Sequence, residues 1–174
     1  NNHWVREMNL DGMNIKEVLS TERLQELGIG RLGNEPGQSC IDTVNQKVYW
    51  LQWEKDSDTG LTTLSTISRM NLDGTSKQKI IEVKNRQIFL ITIDEVSRRL
   101  YWLEDEETDE SLYGFITTIR SANLDGSDIR SHVTGIQTYM NGFSIDNVKK
   151  QVYWIACIED ESGTDHYTLR RARL

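Results

Sequence analysis

Short apolar and polar motifs recur along this chain at a constant distance. An Ile-Asp pair followed by an apolar residue, Tyr and Trp occurs three times, and successive copies are 52 residues apart. The copies are Ile41-Asp42 with Val48-Tyr49-Trp50, Ile93-Asp94 with Leu100-Tyr101-Trp102, and Ile145-Asp146 with Val152-Tyr153-Trp154. A fixed period of this size indicates one supersecondary unit stacked on copies of itself. We therefore expect a tandem array of one β unit.

Each unit is expected to contain four short strands separated by turns. In the middle unit, strands a, b, c and d are predicted at residues 89–94, 99–103, 118–124 and 128–133. Strand b is rich in aromatic and branched residues, which suit a half-buried pleated surface. The Asp-Gly of Asn123-Leu124-Asp125-Gly126 predicts a tight turn between strands c and d, because Gly accepts positive φ without a steric cost. The same turn motif occurs at Asn9-Leu10-Asp11-Gly12 and Asn71-Leu72-Asp73-Gly74.

A radial arrangement of these units explains the pattern best. No 3.6-residue apolar period extends past two turns, and one helix is predicted, at residues 21–27. A lone four-stranded unit has two bare faces, which packing around an axis covers. We therefore predict an all-β fold, a segment of a β-propeller with four-stranded antiparallel blades and an incomplete ring. The expected boundaries, all within one propeller domain, are 1–38 (the c–d half of a blade plus an inserted connector), 39–89 and 90–141 (two blades), and 142–174 (a partial blade).

The motif residues resemble a known repeat. The Ile-Asp and Leu-Tyr-Trp motifs, followed by Ile67-Ser68-Arg69-Met70-Asn71-Leu72-Asp73-Gly74, resemble the YWTD repeat, also called the low-density lipoprotein receptor class B repeat. The Thr-Asp of that motif is replaced in the three copies by Leu51-Gln52, Leu103-Glu104 and Ile155-Ala156. The Arg of the motif is present at Arg69 and Arg171, whereas Glu7 and Ser121 occupy its equivalent positions in the other copies. The resemblance implies a six-bladed propeller in the extracellular part of a receptor. The departures favour a divergent member, of the kind found in Sevenless-type receptor tyrosine kinases.

The composition limits the kinds of partner that such a module could bind. The net charge of −7 argues against binding to nucleic acid or to an anionic membrane surface. No apolar run approaches the ~18–20 residues of a membrane span. Cys40 and Cys157 are too few for a disulfide scaffold, and they are either free thiols or paired elsewhere. The chain has no Asn-x-Ser/Thr site, which favours a location inside the cell and so opposes the receptor interpretation.

Acidic residues are concentrated between strands b and c of each unit. In a propeller these hairpins share a face with the d–a connectors, so we predict one acidic face. The candidate partner-binding residues on it are Trp53, Asp56, Asp58, Glu104, Asp105, Glu106, Glu107, Asp109, Glu110, Glu159, Asp160 and Glu161. These acids could attract a basic protein, hold Ca²⁺, or be solvated loops without a partner. No other cofactor is expected.

Two further features of this face have open interpretations. Trp53 lies outside the repeat pattern, and it is either an exposed interface anchor or packed under its own hairpin. The connector at residues 20–39 is ten residues longer than its equivalents and contains Pro36 and four glycines. An insertion of this kind on a rigid scaffold is a candidate contact loop.

The sequence does not indicate an enzyme in this segment. The repeated Asp42, Asp94 and Asp146 are expected to satisfy backbone groups in turns, because a catalytic group is seldom needed in every blade. No catalytic motif is present, and nothing orients Cys157 and His166 as a nucleophile and base. We predict a non-enzymatic protein-recognition module of a cell-surface receptor, partnered by a protein ligand and the remaining blades. The alternatives are an intracellular propeller scaffold and a calcium-dependent propeller hydrolase.

Overall fold

The computed structural model describes residues 5–7, 16–19, 39–108, 114–159 and 162–174. The helix predicted at 21–27, the turn at residues 9–12 and the inserted connector up to residue 38 lie outside these ranges. Within them, no helix is long and apolar enough to cross a membrane.

The described residues form thirteen antiparallel strands in four sheets. A two-stranded sheet precedes two four-stranded sheets, in the strand orders β3-β4-β5-β6 and β7-β8-β9-β10, and a three-stranded sheet of β11-β12-β13 follows. The strands are β1 (Val5–Glu7), β2 (Lys16–Leu19), β3 (Ser39–Asp42), β4 (Lys47–Lys55), β5 (Thr62–Asn71), β6 (Gln78–Lys84), β7 (Gln87–Asp94), β8 (Arg99–Glu107), β9 (Phe115–Asn123), β10 (Arg130–Ile136), β11 (Tyr139–Asp146), β12 (Gln151–Glu159) and β13 (Asp165–Arg173). We call the last three sheets the first, second and third blades.

The order of strands agrees with the prediction, but the strands b and c are longer than expected. Strand β8 continues to Glu107, which pairs with Phe115, and β12 continues to Glu159, which pairs with Asp165. The prediction that Glu104 to Glu107 lie in a loop is therefore wrong. Pairing satisfies the backbone polar groups of these acidic segments, so a long ladder replaces the expected loop.

Two apolar layers fill the spaces between the blades. Side chains alternate between the faces of a strand, so Tyr49 and Leu51 of β4 face the second blade, where they pack with Leu100 and Trp102 of β8. Leu103 and Ile119 face the other way and pack with Val152, Trp154 and Ala156 of the third blade. Trp50 and Trp102 are completely buried, so the repeated aromatic residues form part of the core.

The repeated strand-a aspartates tie the a–b turns together. Asp42 Oδ1 accepts hydrogen bonds from the backbone N–H groups of Val44 and Asn45, and Asp42 Oδ2 pairs with Arg98 of the next blade. Burial acts to raise the pKa of Asp42, but the hydrogen bonds from Arg98 and Asn45 lower it below its usual value. The equivalent Asp94 accepts from the N–H of Val96 and from Asn147 of the third blade. Asp146 accepts from the N–H groups of Val148 and Lys149. The structural role predicted for these carboxylates is confirmed.

The Asn-Leu-Asp-Gly turn of the second blade packs against the first blade. The carbonyl oxygen of Leu124 accepts hydrogen bonds from Tyr49 Oη at 3.2 Å and from Arg69 Nη1 at 2.7 Å. Gly126 has a φ of +88°, and a Cβ at this position would lie 2.1 Å from the carbonyl oxygen of Ile80. A side chain is therefore excluded where the blades approach each other.

The third blade has an apolar outer face. Ile155, Tyr167 and Leu169 have exposed fractions of 45%, 60% and 72%. The residues equivalent to Ile155 in the first and second blades are Leu51 and Leu103, and both are buried. Apolar side chains are therefore exposed on this face at the end of the array. The described strands do not close into a ring.

Candidate partner-binding surface

A groove lies between neighbouring hairpins of the first and second blades. One side is the β4–β5 hairpin, the other is the β8–β9 hairpin, and the β6–β7 connector forms part of the base. Its volume is about 720 Å³. The lining residues are Asp56, Thr59, Leu61, Thr62, Thr63, Asn85, Arg86, Gln87, Asp105, Glu107, Gly114 and Phe115. We call this feature the inter-hairpin groove.

Asp105 is a half-buried residue at the edge of the inter-hairpin groove, and its side chain lies on the same face of β8 as Leu103, which is turned toward the third blade. Thr117 Oγ1 donates a hydrogen bond to Asp105 Oδ1. Burial raises the pKa of Asp105 to about 6, although the bond from Thr117 acts in the opposite direction. Across the described part of the chain, no Lys, Arg or His forms an ion pair with this carboxylate. Asp105 therefore bears an uncompensated negative charge at neutral pH.

The neighbouring acids are neutralised by arginines. Glu104 is only 3% exposed and pairs with Arg86 Nη1 at 2.9 Å and with Arg120 Nε at 3.0 Å. Glu106 pairs with Arg86 Nη2 at 2.7 Å. Trp102 Nε1 also donates to Glu104, at 3.3 Å. Glu104 is thus an interior residue that joins two blades, and it does not belong to the exposed acidic surface.

Asp56 and Asp58 lie at the tip of the β4–β5 hairpin. Asp56 Oδ1 accepts hydrogen bonds from the N–H of Thr59 at 2.8 Å, from Thr59 Oγ1 at 2.9 Å and from the N–H of Asp58 at 3.0 Å. These bonds lower the pKa of Asp56. The described residues contain no group of three or more His, Cys, Asp or Glu side chains placed to hold a metal ion. The carboxylate of Asp56 instead closes the hairpin turn.

The apolar parts of the groove come from Leu61 and Phe115. Leu61 is exposed, and the ring of Phe115 packs edge-on against Tyr139 with centroids 5.3 Å apart. Trp53 is not an exposed anchor. Its Nε1 donates to the carbonyl oxygen of Ile88 at 2.7 Å, and its ring packs against the core between the blades. Trp53 therefore packs against the neighbouring second blade, which neither of the alternatives considered from the sequence had placed it against.

The other predicted site residues do not join the groove. Glu159 is exposed at the end of β12, on the third blade, and Asp58 is at the hairpin tip outside the lining. Asp109, Glu110, Asp160 and Glu161 lie outside the described residues. Four lining residues were not among those predicted from the sequence: Arg86, Gln87, Leu61 and Phe115. Their role follows from how the blades pack, and a polar connector residue has no distinguishing sequence signal.

The candidate nucleophiles show no catalytic arrangement in the described residues. Cys40 and Cys157 are free thiols, and burial raises the pKa of Cys40 far above its usual value. His132 Nε2 lies 2.7 Å from Ser121 Oγ, but Ser121 is buried and also accepts from Arg99 Nε. The hydrolase alternative required Asp42, Asp94 and Asp146 to converge on a channel. Each of these carboxylates instead accepts hydrogen bonds from the backbone of its own a–b turn.

Curated relatives match part of the chain. The protein cueball of Drosophila erecta is 32% identical over 96 residues, which is 55% of this chain and 13% of that protein. The cueball of Drosophila grimshawi is 26% identical over 122 residues, covering 70% of this chain and 18% of the relative. The chain therefore spans less than a fifth of the length of these relatives. No family model matches it.

A solved structure of a nidogen/laminin complex contains a similar chain. The two align with a TM-score of 0.52 and 19% identity over 88% of this chain and 48% of the other. This likeness concerns the fold alone. Together with the repeated four-stranded blades it decides the architecture. The chain is a segment of a β-propeller. A puromycin hydrolase aligns with the propeller segment at a TM-score of only 0.38, from which nothing is inferred.

Proposed function

We propose that this propeller segment is a non-enzymatic protein-recognition module in the extracellular region of a cell-surface receptor. The observation that carries the proposal is the inter-hairpin groove, where acidic side chains and two apolar ones lie on a rigid pair of blades. Binding sites are commonly formed by loops that a rigid scaffold positions. The chain's similarity to part of a nidogen/laminin complex supports a protein partner.

The fixed geometry of the surface comes from contacts between blades. Arg86, on the connector between the blades, holds Glu104 and Glu106 of the second blade. At the opposite end of the same two blades, Arg98 of the second blade forms an ion pair with Asp42 of the first blade. A partner would therefore meet preformed hairpins, which reduces the entropy cost of ordering them on binding.

The exposed outer face of the third blade supports a larger ring. Ile155 and Leu169 occupy positions whose equivalents are buried between blades. We therefore include further blades among the partners of this segment. The YWTD resemblance implies a complete ring of six blades.

A salt-dependent pull-down with the parent protein as bait tests the proposal. The wild type is compared with Glu106→Gln/Glu107→Gln, which neutralises two exposed acids of the second hairpin. The matched control, Glu82→Gln/Glu95→Gln, removes the same charge elsewhere. We expect a basic partner that salt elutes and that only the first double variant loses. If a captured partner binds equally well at high salt and to the first double variant, the acidic surface is not the binding site.

An intracellular scaffold is a second candidate, and the two free cysteines favour it. Free thiols are typical of reducing compartments, whereas extracellular proteins commonly form disulfides. Biotinylation of intact cells with a reagent that cannot cross membranes separates the two locations. The receptor proposal expects labelled parent protein, and labelling only after cell lysis would contradict it.

A further inference from the structure

The outer face of the third blade repeats side chains with which the first blade contacts the second. Tyr49 and Arg69 of the first blade are cross-strand partners, and so are Tyr153 and Arg171 of the third. Residues paired in this way lie on the same face of a sheet. The second blade has Ser121 at the position of the arginine. The polar pair of the first blade therefore occurs again on the third.

In the first blade this polar pair binds the main chain of the next blade. Tyr49 Oη and Arg69 Nη1 donate hydrogen bonds to the carbonyl oxygen of Leu124, in the c–d turn of the second blade. A carbonyl oxygen has two lone pairs, so this one acceptor satisfies both donors. In the third blade, Tyr153 Oη donates within its own strand, and Arg171 is exposed. Among the residues that the structure describes, neither has an acceptor on another blade.

The apolar residues beside the polar pairs show the same relation. Leu51 and Ile67 of the first blade pair across β4 and β5, and the second blade covers them. The corresponding pair of the second blade is completely buried under the third. Their counterparts Ile155 and Leu169, which pair across β12 and β13, are exposed. Both interfaces in this chain therefore bury positions that the third blade leaves open.

The turn carboxylates provide a third contact of this kind. Asp42 forms an ion pair with Arg98 of the second blade. Asp94 accepts a hydrogen bond from Asn147 of the third blade. Within the described ranges, Asp146 contacts only residues of its own a–b turn. Its carboxylate can therefore accept from a donor in the a–b turn of a following blade.

We propose that the outer face of the third blade binds the inner face of another blade of the same repeat. Tyr153 and Arg171 donate to the carbonyl oxygen that precedes the Asp-Gly of its c–d turn. Ile155 and Leu169 pack against an apolar residue and a Trp on its strand b, and Asp146 accepts from an Arg or Asn of its a–b turn. This inference rests on the further blades that the proposed function includes among the partners, and it specifies where they bind.

Other occupants fit this face less well. A second copy of this chain would have to offer an inner face, but Val48 and Trp50 of the first blade are completely buried. The inner faces of the second and third blades are covered by their neighbours. An acidic segment would suit Arg171 and be repelled by Asp146. A blade instead offers an uncharged carbonyl to the arginine and a donor to the carboxylate.

Photo-cross-linking in the parent protein tests the occupant. Benzoylphenylalanine takes the place of Leu169 on the outer face or, as a matched control, of Val148 in the a–b turn. Val148 is exposed, and so are its equivalents Val44 and Val96, whose blades are followed by another. We expect the probe at Leu169 to cross-link within one parent chain to a blade peptide with the apolar-x-Trp motif. The control should not give this product.

Substitutions compared in two contexts then test the polar pair. Tyr153→Phe and Arg171→Met should each lower the melting temperature of the parent propeller by about 2–4 °C, the shift expected for the loss of one hydrogen bond. In the isolated 174-residue chain the face is open, so the same substitutions should leave the melting temperature unchanged. This comparison separates contacts between blades from contacts within the third blade.

Three outcomes would overturn the assignment. One is a dimer-sized product from the probe at Leu169, which would make a second copy the occupant, and another is no cross-linked peptide at all. The third is an equal loss of stability in both contexts, because Tyr153 and Arg171 would then stabilise only their own blade. A partner that the pull-down still captures through Glu106 and Glu107 would leave the proposed function standing and refute only this site.

Discussion

Glu104 and Asp105 are adjacent acids with opposite environments. Because successive side chains of a strand point to opposite faces, Glu104 faces the first blade and meets Arg86 and Arg120, whereas Asp105 pairs only with Thr117. The sequence places both in one acidic run. Their different roles depend on where β8 lies between two blades, which no local pattern reveals.

Replacing Asp105 should change how stability depends on pH. The pKa of Asp105 rises from 3.8 to about 6 in the folded protein. Between these values the folded state binds a proton that the unfolded chain does not, so this group makes stability fall as pH rises. We expect Asp105→Asn to be more stable than the wild type at pH 7.5, with the difference disappearing below about pH 4. Urea unfolding at a series of pH values measures this, and parallel curves for the two proteins would contradict it.

Trp102 should contribute strongly to stability. Its side chain is 0% exposed and packs between the first and second blades. Trp102→Ala should lower the free energy of unfolding by ~3–5 kcal/mol, as truncations of buried aromatic residues do. The matched control is Val148→Ala, where the side chain is exposed and little change is expected. Denaturant unfolding measures both, and equal stabilities of the two variants would show that the repeat register is wrong.

At the scale of the elements, the repeat predicted the identity and order of the strands better than their length. Trp50, Trp102 and Trp154 fall at equivalent points of β4, β8 and β12, as the 52-residue period requires. The ends of β8 and β12 were missed because Glu and Asp have low strand propensity. Pairing with the opposite strand overrides that preference.

The candidate site was less predictable than the strands. The acidic character of the hairpins is visible in the sequence, and it gave Asp56, Asp105 and Glu107. Leu61 and Phe115 are single apolar residues near hairpin ends, and Gln87 belongs to a connector. They meet only because the first and second blades pack together, so their proximity is a tertiary effect.

The Asn-Leu-Asp-Gly turn between β9 and β10 should tolerate no side chain at Gly126. Its positive φ and the 2.1 Å approach of a Cβ to the carbonyl oxygen of Ile80 combine backbone strain with a clash. Gly60 also has positive φ, but a Cβ there meets no atom within 4 Å. Gly60→Ala should therefore cost ~1 kcal/mol from backbone strain alone. Gly126→Ala should cost at least ~2 kcal/mol more, because the blades must separate.

Thermal unfolding of the two glycine variants isolates the contact between blades. Because both substitutions add one methyl group at positive φ, the difference between them reports the approach to Ile80. Equal melting temperatures would contradict the close packing of the turn on the first blade.

At the scale of the whole molecule, the third blade determines how the segment behaves in isolation. Its outer face exposes Ile155, Tyr167 and Leu169, and exposed apolar patches of this kind promote association. We expect Ile155→Ser/Leu169→Ser to reduce self-association of the isolated chain without lowering its melting temperature. Analytical ultracentrifugation and binding of a hydrophobic dye measure this. A loss of thermal stability would mean that these residues belong to the interior.

The protein partner should contact the inter-hairpin groove. Hydrogen–deuterium exchange on the chain with its captured partner tests it most directly, because the two ends of the blades give separate peptides. We expect the partner to slow exchange at residues 56–63, 85–88 and 105–108, and to leave the a–b turns at 43–46, 95–98 and 147–150 unchanged. Protection of the a–b turns without protection of the groove would contradict it.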